Sequence, residues 1–323
     1  MIEIVALGEL LIDFTQMGIA EDGQRLFKQN PGGAPANVLC AASKLGAKTA
    51  FIGKVGDDMH GRYLKNVLRE CNVDADKVIF DPMTYTTLAF VQLNEAGDRR
   101  FSFARKPGAD IRLRKEEIDE EFFDDTCILH VGSLSLTDNP AKGATIYAIQ
   151  EAKKRNCIIS YDPNYRAGLW HDEETAVKEM RSIIKYADVM KLAEEEMNLL
   201  TSEHVPEAAA AYLLEKGVKI VVITLGAAGA YVYIKNKGSY VNGYKSVVVN
   251  TTGAGDAFWG GFLYQLIKKG KMLEDIILEE VIEFANFANA VASLCVERDG
   301  AIYAMPNLNE VNERIKNNQI EII

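Results

Sequence analysis

The chain is poor in the features that mark metal, membrane and nucleic-acid proteins. Its five cysteines, Cys40, Cys71, Cys127, Cys157 and Cys295, include no CxxC pair and are odd in number. They are expected to be buried free thiols in a reducing cytosol. The four histidines, His60, His130, His171 and His204, lack metal-ligand spacing, which argues against a His/Cys metal site. No apolar run is long enough to span a membrane, and Ile2 to Leu7 reads as a strand rather than a signal segment, so a soluble, cytoplasmic protein is expected. Positive charge is not in excess. Lys and Arg number 36 against 46 Asp and Glu, a net charge of −10, which leaves no global footprint for nucleic acid. A GxxxxGK[ST] loop is missing, which excludes a P-loop. No GxGxxG follows a strand, which disfavours that dinucleotide fold. Repeats, low-complexity tracts and Pro/Ser-rich linkers are also missing.

What is present is an ordinary globular composition, 48% hydrophobic and 25% charged over 323 residues. That length suits one large α/β domain with an appendage, or two domains. Short apolar runs read as strands at Glu3–Leu7, Thr49–Gly53, Lys77–Phe80, Cys127–Val131, Ile158–Tyr161, Ala187–Lys191 and Ile220–Thr224. Helical patterns lie between most of them, at Ala36–Leu45, Gly61–Cys71, Lys142–Arg155 and Glu173–Tyr186. The alternation predicts a mostly parallel, doubly wound sheet with helices on both faces and ligands beyond the carboxyl ends of its strands. Two stretches break the pattern. Leu10–Asn30 shows no clear helix, and Thr86–Asn94 with Arg99–Phe103 reads as a hairpin around Glu-Ala-Gly-Asp. Paired, they would form a small β flap that keeps water from a reacting group. The expected division is a body of 1–9, 31–85 and 106–323 and a discontinuous lid of 10–30 and 86–105.

Residues 250–262 carry the strongest chemical signal. Gly253, Ala254 and Gly255 lead into a helical pattern of Phe258, Phe262 and Leu266, ended by Lys268, Lys269 and Gly270. Small residues at a helix start expose free amides, a cradle for an anion. Asp256 stands at its mouth. A carboxylate there would repel a bound phosphate, yet it suits a site that must also take a proton from an attacking hydroxyl. An Asp is equally a common helix-start residue. A second glycine turn, Thr224-Leu225-Gly226-Ala227-Ala228-Gly229, follows a strand on the same predicted edge.

Pro31-Gly32-Gly33-Ala34-Pro35-Ala36-Asn37 resembles the N-terminal signature of the ribokinase-like, or PfkB, carbohydrate kinase family, and Thr251-Thr252-Gly253-Ala254-Gly255-Asp256 resembles its C-terminal signature. The resemblance covers nearly the whole chain. Gly8 to Asp13, Phe51 to Asp58, Phe103 to Asp110 and Asp162-Pro163-Asn164-Tyr165-Arg166 look most like the fructokinase branch. The implied fold is a doubly wound α/β domain with a small β-sheet lid. The implied activity is transfer of the γ-phosphoryl of MgATP to a primary hydroxyl of a sugar.

The resemblance also implies roles. Asp256 matches the catalytic base, with the amides of Ala254, Gly255 and Asp256 holding the transferring group. Asp13, Gly32, Gly33 and Asn37 match sugar-binding positions, where Asp13 can accept two hydroxyl hydrogen bonds and glycines admit close approach. Arg105, leaving the lid, and Arg166, at a strand end, are expected to face substrate or phosphate. Glu196 matches the glutamate of an Asn-x-x-Glu motif that tunes the magnesium site, although Ala193 replaces the asparagine. Lys191 is expected near a phosphate. Thr224, Gly226 and Gly229 match the nucleotide loop, and Asn289 a position lining the adenine. A weak K+ site is implied at Asn250, Thr252, Cys295, Arg298 and Gly300, with Asn250 standing where the family carries an aspartate.

Fructose is the expected sugar and 2-keto-3-deoxygluconate the alternative, with ribokinase or nucleoside kinase activity ranking lower. A non-catalytic sugar or nucleotide sensor on the same fold is the reading of another class. The resemblance further implies a homodimer through the lid, while the charge balance and the lack of a long apolar run predict no nucleic-acid or membrane partner.

Overall fold

The computed structural model describes residues 2–93 and 99–321. The expected turn at 95–98 therefore lies outside the described residues. Strand β1 (Ile2–Leu7) leads out into β2 (Leu11–Ile19) and β3 (Arg25–Gly32), and α1 (Ala34–Lys44) brings the chain back. Then come β4 (Thr49–Gly56), α2 (Met59–Glu70), β5 (Val73–Asp74) and β6 (Val78–Asp81), followed by a second excursion, β7 (Leu88–Leu93) and β8 (Arg99–Ala104). The order continues with β9 (Thr126–Val131), α3 (Ala141–Lys154), β10 (Ile158–Tyr161), α4 (Glu173–Ile184), β11 (Val189–Ala193), α5 (Glu194–Thr201), α6 (Pro206–Glu215), β12 (Ile220–Thr224), β13 (Gly229–Ile234) and β14 (Lys237–Asn242). Helices α7 (Ala254–Lys269), α8 (Leu278–Val296) and α9 (Leu308–Glu321) follow.

The large sheet runs β14-β13-β12-β11-β10-β9-β1-β4-β5, with β6 also on β4. It is parallel from β12 to β5 and antiparallel only at β12–β13 and β13–β14. Its strands read as continuous apolar runs because both faces are covered. In β1, Ile4 and Ala6 join the core under α1, α7 and α8, while Val5 and Leu7 join the core under α3, α4 and α6. The chain steps one way from β1 to β4 and the other way from β9 to β12. The strand order thus reverses between β1 and β9, where such sheets open a crevice.

The two excursions pair as a second sheet, β3-β2-β7-β8, antiparallel except where β2 meets β7. Most element limits shift by a few residues from the sequence reading, and at two of them the local reason is plain. The α1 helix starts at Ala34 rather than Ala36 because Pro35 fits the first turn, where its missing N–H is not needed. The strand expected from Ala187 begins at Val189 because the Ala187 amide still closes the end of α4 on the Ile184 carbonyl.

Candidate active site

Two glycine-started helices converge beyond the sheet. Helix α1 follows Gly33, at φ 116°, and α7 follows Gly253, at φ 81°, conformations that favour glycine. The helices can approach because Gly260 carries no side chain. A Cβ there would lie 2.6 Å from both the Ala41 Cβ and the Val38 carbonyl oxygen. That contact carries Asn37, on the first turn of α1, to Asp256, on the first turn of α7. The Asn37 Nδ2 donates to Asp256 Oδ2 at 2.8 Å.

The other Asp256 oxygen accepts from Asn164 Nδ2 at 3.0 Å. Asn164 sits just past β10 with φ 50°, so the Asp-Pro-Asn turn aims its amide inward. The turn is legible in the sequence, but the role of Asn164 is not. The left-handed preference of Asn after a strand was the available signal. Asp256 is 7% exposed. Burial first, and Asp162 next, push its carboxyl above the ordinary range, while Asn37, Lys191 and Arg166 oppose the rise. A carboxylate shifted upward, with both oxygens oriented, suits proton acceptance.

Beside it lies a buried ion pair that was not legible in the sequence. Lys191, on β11, donates to Asp162 Oδ2 at 2.6 Å, and both side chains are almost fully enclosed. Burial pulls the lysine down, but Asp162 and Glu196 outweigh it and hold the ammonium above its ordinary range. A Cβ on Gly255 would lie 3.3 Å from Lys191 Nζ, which puts the positive charge against the α7 turn. The buried oxygens Asp162 Oδ1 and Asn37 Oδ1 have no partner among the described residues. Unfilled buried acceptors of this kind call for a donor or a cation from a ligand.

The α7 start has no side-chain cap. Its Ala254 amide bonds the Thr251 carbonyl at 3.3 Å, so of the three expected donors Gly255 and Asp256 are the ones left for an anion. By contrast, Glu9 Oε1 accepts the Ala34 amide at 2.9 Å and fills the start of α1.

Asp13, on β2, lies over this cluster. Burial raises its carboxyl to about 6, with Arg166 lowering it and Asp256 raising it. Gly32 makes room for it, since a Cβ there would lie 2.5 Å from Asp13 Oδ2. Arg166 is exposed, with Nη1 on the Tyr165 carbonyl at 2.9 Å. Arg105 corrects the expectation that it reaches over the site. Its Nε donates to Asp110 Oδ2 at 2.8 Å, Nη1 to Thr137 Oγ1 at 2.9 Å and Nη2 to the Leu134 carbonyl at 2.8 Å. Thr87 also donates to Asp110, at 2.5 Å. The guanidinium thus ties the end of β8 to the segment before β7, as a root for the second sheet.

Glu196 is likewise engaged by the chain. Its Oε1 accepts the Tyr165 amide at 2.7 Å and its Oε2 the Ala193 amide at 2.8 Å. Burial, then Asp162, raises its carboxyl. The Gly226–Gly229 turn opens at the end of β12. Gly229 must be glycine, because a Cβ would meet the Val241 carbonyl oxygen at 2.1 Å. Thr224 Oγ1 donates to the Leu192 carbonyl at 3.2 Å. Asn289 braces the same region, its Nδ2 donating to the Val241 and Asn242 carbonyls at 3.2 and 3.1 Å.

Among the expected cation ligands, Asn250 Oδ1 accepts the Thr252 amide at 2.9 Å and its Nδ2 donates to Asp299 Oδ1 at 3.0 Å. The Cys295 carbonyl accepts the Arg298 amide at 3.1 Å, and Arg298 pairs with Glu310. Gly300 takes φ 97°. Among the described residues, no helix is long and apolar enough to cross a membrane.

Residues 1–308 match the family described as pfkB family carbohydrate kinase. Probable fructokinase-6, chloroplastic, of Arabidopsis thaliana is 42% identical over 316 residues, 97% of this chain and 82% of that protein. A fructokinase with bound ATP from Xylella fastidiosa has a TM-score of 0.91 at 33% identity, covering 98% of this chain and 99% of that one. A fructokinase double mutant from Vibrio cholerae O395, in a form with fructose, ADP and potassium ion bound, has a TM-score of 0.86 at 32% identity, covering 97% and 98%. A family match over nearly the full length, joined to the paired helix starts around Asp256, identifies the chain as a member of the pfkB family of carbohydrate kinases.

Proposed function

We propose that this kinase transfers the γ-phosphoryl of ATP to the primary 6-hydroxyl of fructose, with Asp256 as the base. The observation that carries the reading is the Asp256 carboxylate, buried, shifted upward and held by Asn37 and Asn164 at an uncapped helix start. The acceptor hydroxyl would give its proton to Asp256 as its oxygen bonds to phosphorus and the bond to ADP breaks. The Gly255 and Asp256 amides and the Lys191 ammonium would stabilise the charge on the transferring group. Asp13, Asn37, Gly32 and Gly33 would hold the sugar hydroxyls. The Thr224–Gly229 turn, with Asn289 behind it, would take the nucleotide.

Magnesium ion fits as a companion of the nucleotide, where it neutralises phosphate charge. Among the described residues, no three His, Cys, Asp or Glu side chains gather into a metal cage, so the phosphates would be its main ligands. Asp162 Oδ1 is a buried acceptor with no partner among the described residues, and Glu196 acts by fixing the loop beside it. At the K+ position the Asn250 oxygen is already engaged by an amide and carries no charge, so weak binding is expected.

The second sheet serves as the lid, and the division into 1–9, 31–85 and 106–323 against 10–30 and 86–105 belongs to this proposal. Met17, Ile19 and Leu26 are exposed on it, and an apolar patch of that kind suits a second copy of the chain. A cytoplasmic setting is part of the same reading and agrees with five free cysteines.

Fructose is favoured over 2-keto-3-deoxygluconate because Arg105 is tied into the lid root and only Arg166 remains to meet a carboxylate. An ADP-coupled assay across fructose, 2-keto-3-deoxygluconate, ribose, glucose and adenosine tests this. The highest kcat/KM is expected for fructose, and preference for the keto acid would overturn the choice.

A further inference from the structure

Lys28 and Asp299 are 271 residues apart and form an ion pair between β3 of the lid and the loop after α8. The contact does not end there. The second oxygen of Asp299 accepts from Asn250 Nδ2 at 3.0 Å, and Asn250 Oδ1 accepts the Thr252 amide at 2.9 Å. Thr252 directly precedes Gly253, the residue that starts α7. The same loop also touches the helix start, since a Cβ on Gly253 would lie 2.8 Å from the Ala301 Cβ. A polar path and a packing contact therefore both run from the lid to the amides beside Asp256.

This path gives a physical reason for the asparagine. A carboxylate at position 250 would face that of Asp299, and like charges at that distance repel. The amide instead donates to Asp299 and accepts from Thr252, joining the two. Lys28 and Asp299 side chains are 44% and 47% exposed, so the pair is weak and screened by salt. Weakness suits a contact that must form and break in each turnover.

On the proposed function above, we infer that Lys28 is a positioning residue for phosphoryl transfer, closing on Asp299 as the lid comes down over the sugar and so fixing the turn that sets the α7 amides.

Kinetics with fructose and ATP for Lys28→Met, Lys28→Arg, Asp299→Asn and the Lys28→Met/Asp299→Asn double variant test it. Lys28→Met should lower kcat about threefold to fivefold, the coupling typical of an exposed ion pair, with KM for ATP unchanged. Lys28→Arg should stay near wild type, and the double variant should fall no further than either single one. Raising NaCl from about 0.05 to about 0.5 M should bring the wild type toward Lys28→Met and leave that variant flat. Hydrogen exchange adds a readout that a merely structural lysine would not move. Fructose should slow amide exchange at 251–256 in the wild type and not in Lys28→Met. Additive losses, equal salt responses or unchanged fructose protection in Lys28→Met would overturn the coupling. A wild type that does not turn over fructose removes the proposed substrate instead, a failure visible before any variant is made.

Discussion

Helices α1 and α7 begin alike and are used differently. Each follows a glycine of positive φ, and their first turns meet through Asn37 and Asp256. The start of α1 is filled from within the chain, by the Glu9 carboxylate on the Ala34 amide. The start of α7 has no side-chain cap, and its own acid, Asp256, is turned toward two carboxamides rather than onto its own amides. A helix start attracts negative charge in either case. In α1 the acceptor for the first amide comes from the fold itself. In α7 the start carries no side-chain cap, and on the proposed function it receives the phosphoryl group beside the Lys191 ammonium.

The largest expected effect lies at α7. Asp256→Asn should keep the hydrogen-bond geometry partly intact but remove the proton acceptor, lowering kcat by about 10³-fold, within the range for general-base loss. ATP binding, measured by calorimetry, should be retained. Turnover close to wild type would show that the open helix start binds an anion without Asp256 acting on the acceptor.

How much of this contrast was readable beforehand depends on distance along the chain. The limits of α7 were legible because Gly253 and Gly270 bracket a helical repeat, and each sits at a positive φ at one end. The parallel sheet was legible because strands covered on both faces are uniformly apolar. Arg105 was not, because Thr137 and the Leu134 carbonyl that engage it come from a separate loop of the body. The role of Asn164 was hidden for the opposite reason. Asp-Pro-Asn explains itself as a turn, so nothing local asks what the amide touches. Glu9 also escaped notice, since a carboxylate that caps a helix 25 residues later leaves no spacing signal.

Glycine substitutions sharpen the contrast at smaller magnitude. A Cβ on Gly33 would meet the Glu9 carbonyl oxygen at 2.3 Å, on backbone already at φ 116°. Gly33→Ala should therefore destabilise the protein by about 1–3 kcal/mol, the usual range for a strained backbone position. At Gly255 the nearest atom to an added Cβ is the end of the flexible Lys191 side chain, 3.3 Å away. Gly255→Ala should leave the urea midpoint unchanged or raise stability by up to about 1 kcal/mol, as expected for Ala over Gly in a helix. Its kcat should nonetheless fall, because the methyl group crowds the ammonium and the anion. The two variants would then separate stability from activity, one helix start from the other. Equal losses of stability would erase the distinction.

The smallest effect concerns the acid that fills α1. Burial above all raises Glu9 from 4.5 to about 7; hydrogen bonds from its own and the Ala34 amides pull it down, Asp110 pushes it up and Arg105 lowers it. The folded protein thus holds this proton more tightly than the unfolded chain. Its contribution to stability is complete below about 4.5 and fades as pH rises through about 7. Glu9→Gln keeps an oxygen for the Ala34 amide and removes the titration. Urea midpoints at about pH 5 and about pH 8 should therefore differ less in the variant than in the wild type, by up to a few kcal/mol in free energy. Activity at either pH should barely change, since Glu9 serves the closed helix start and not the open one. An identical pH slope in both proteins would mean that the α1 cap is already ionised across this range. The carboxylate would then be stabilised by the helix start more strongly than burial opposes it, and the two helix starts would be closer in electrostatic character than their capping suggests.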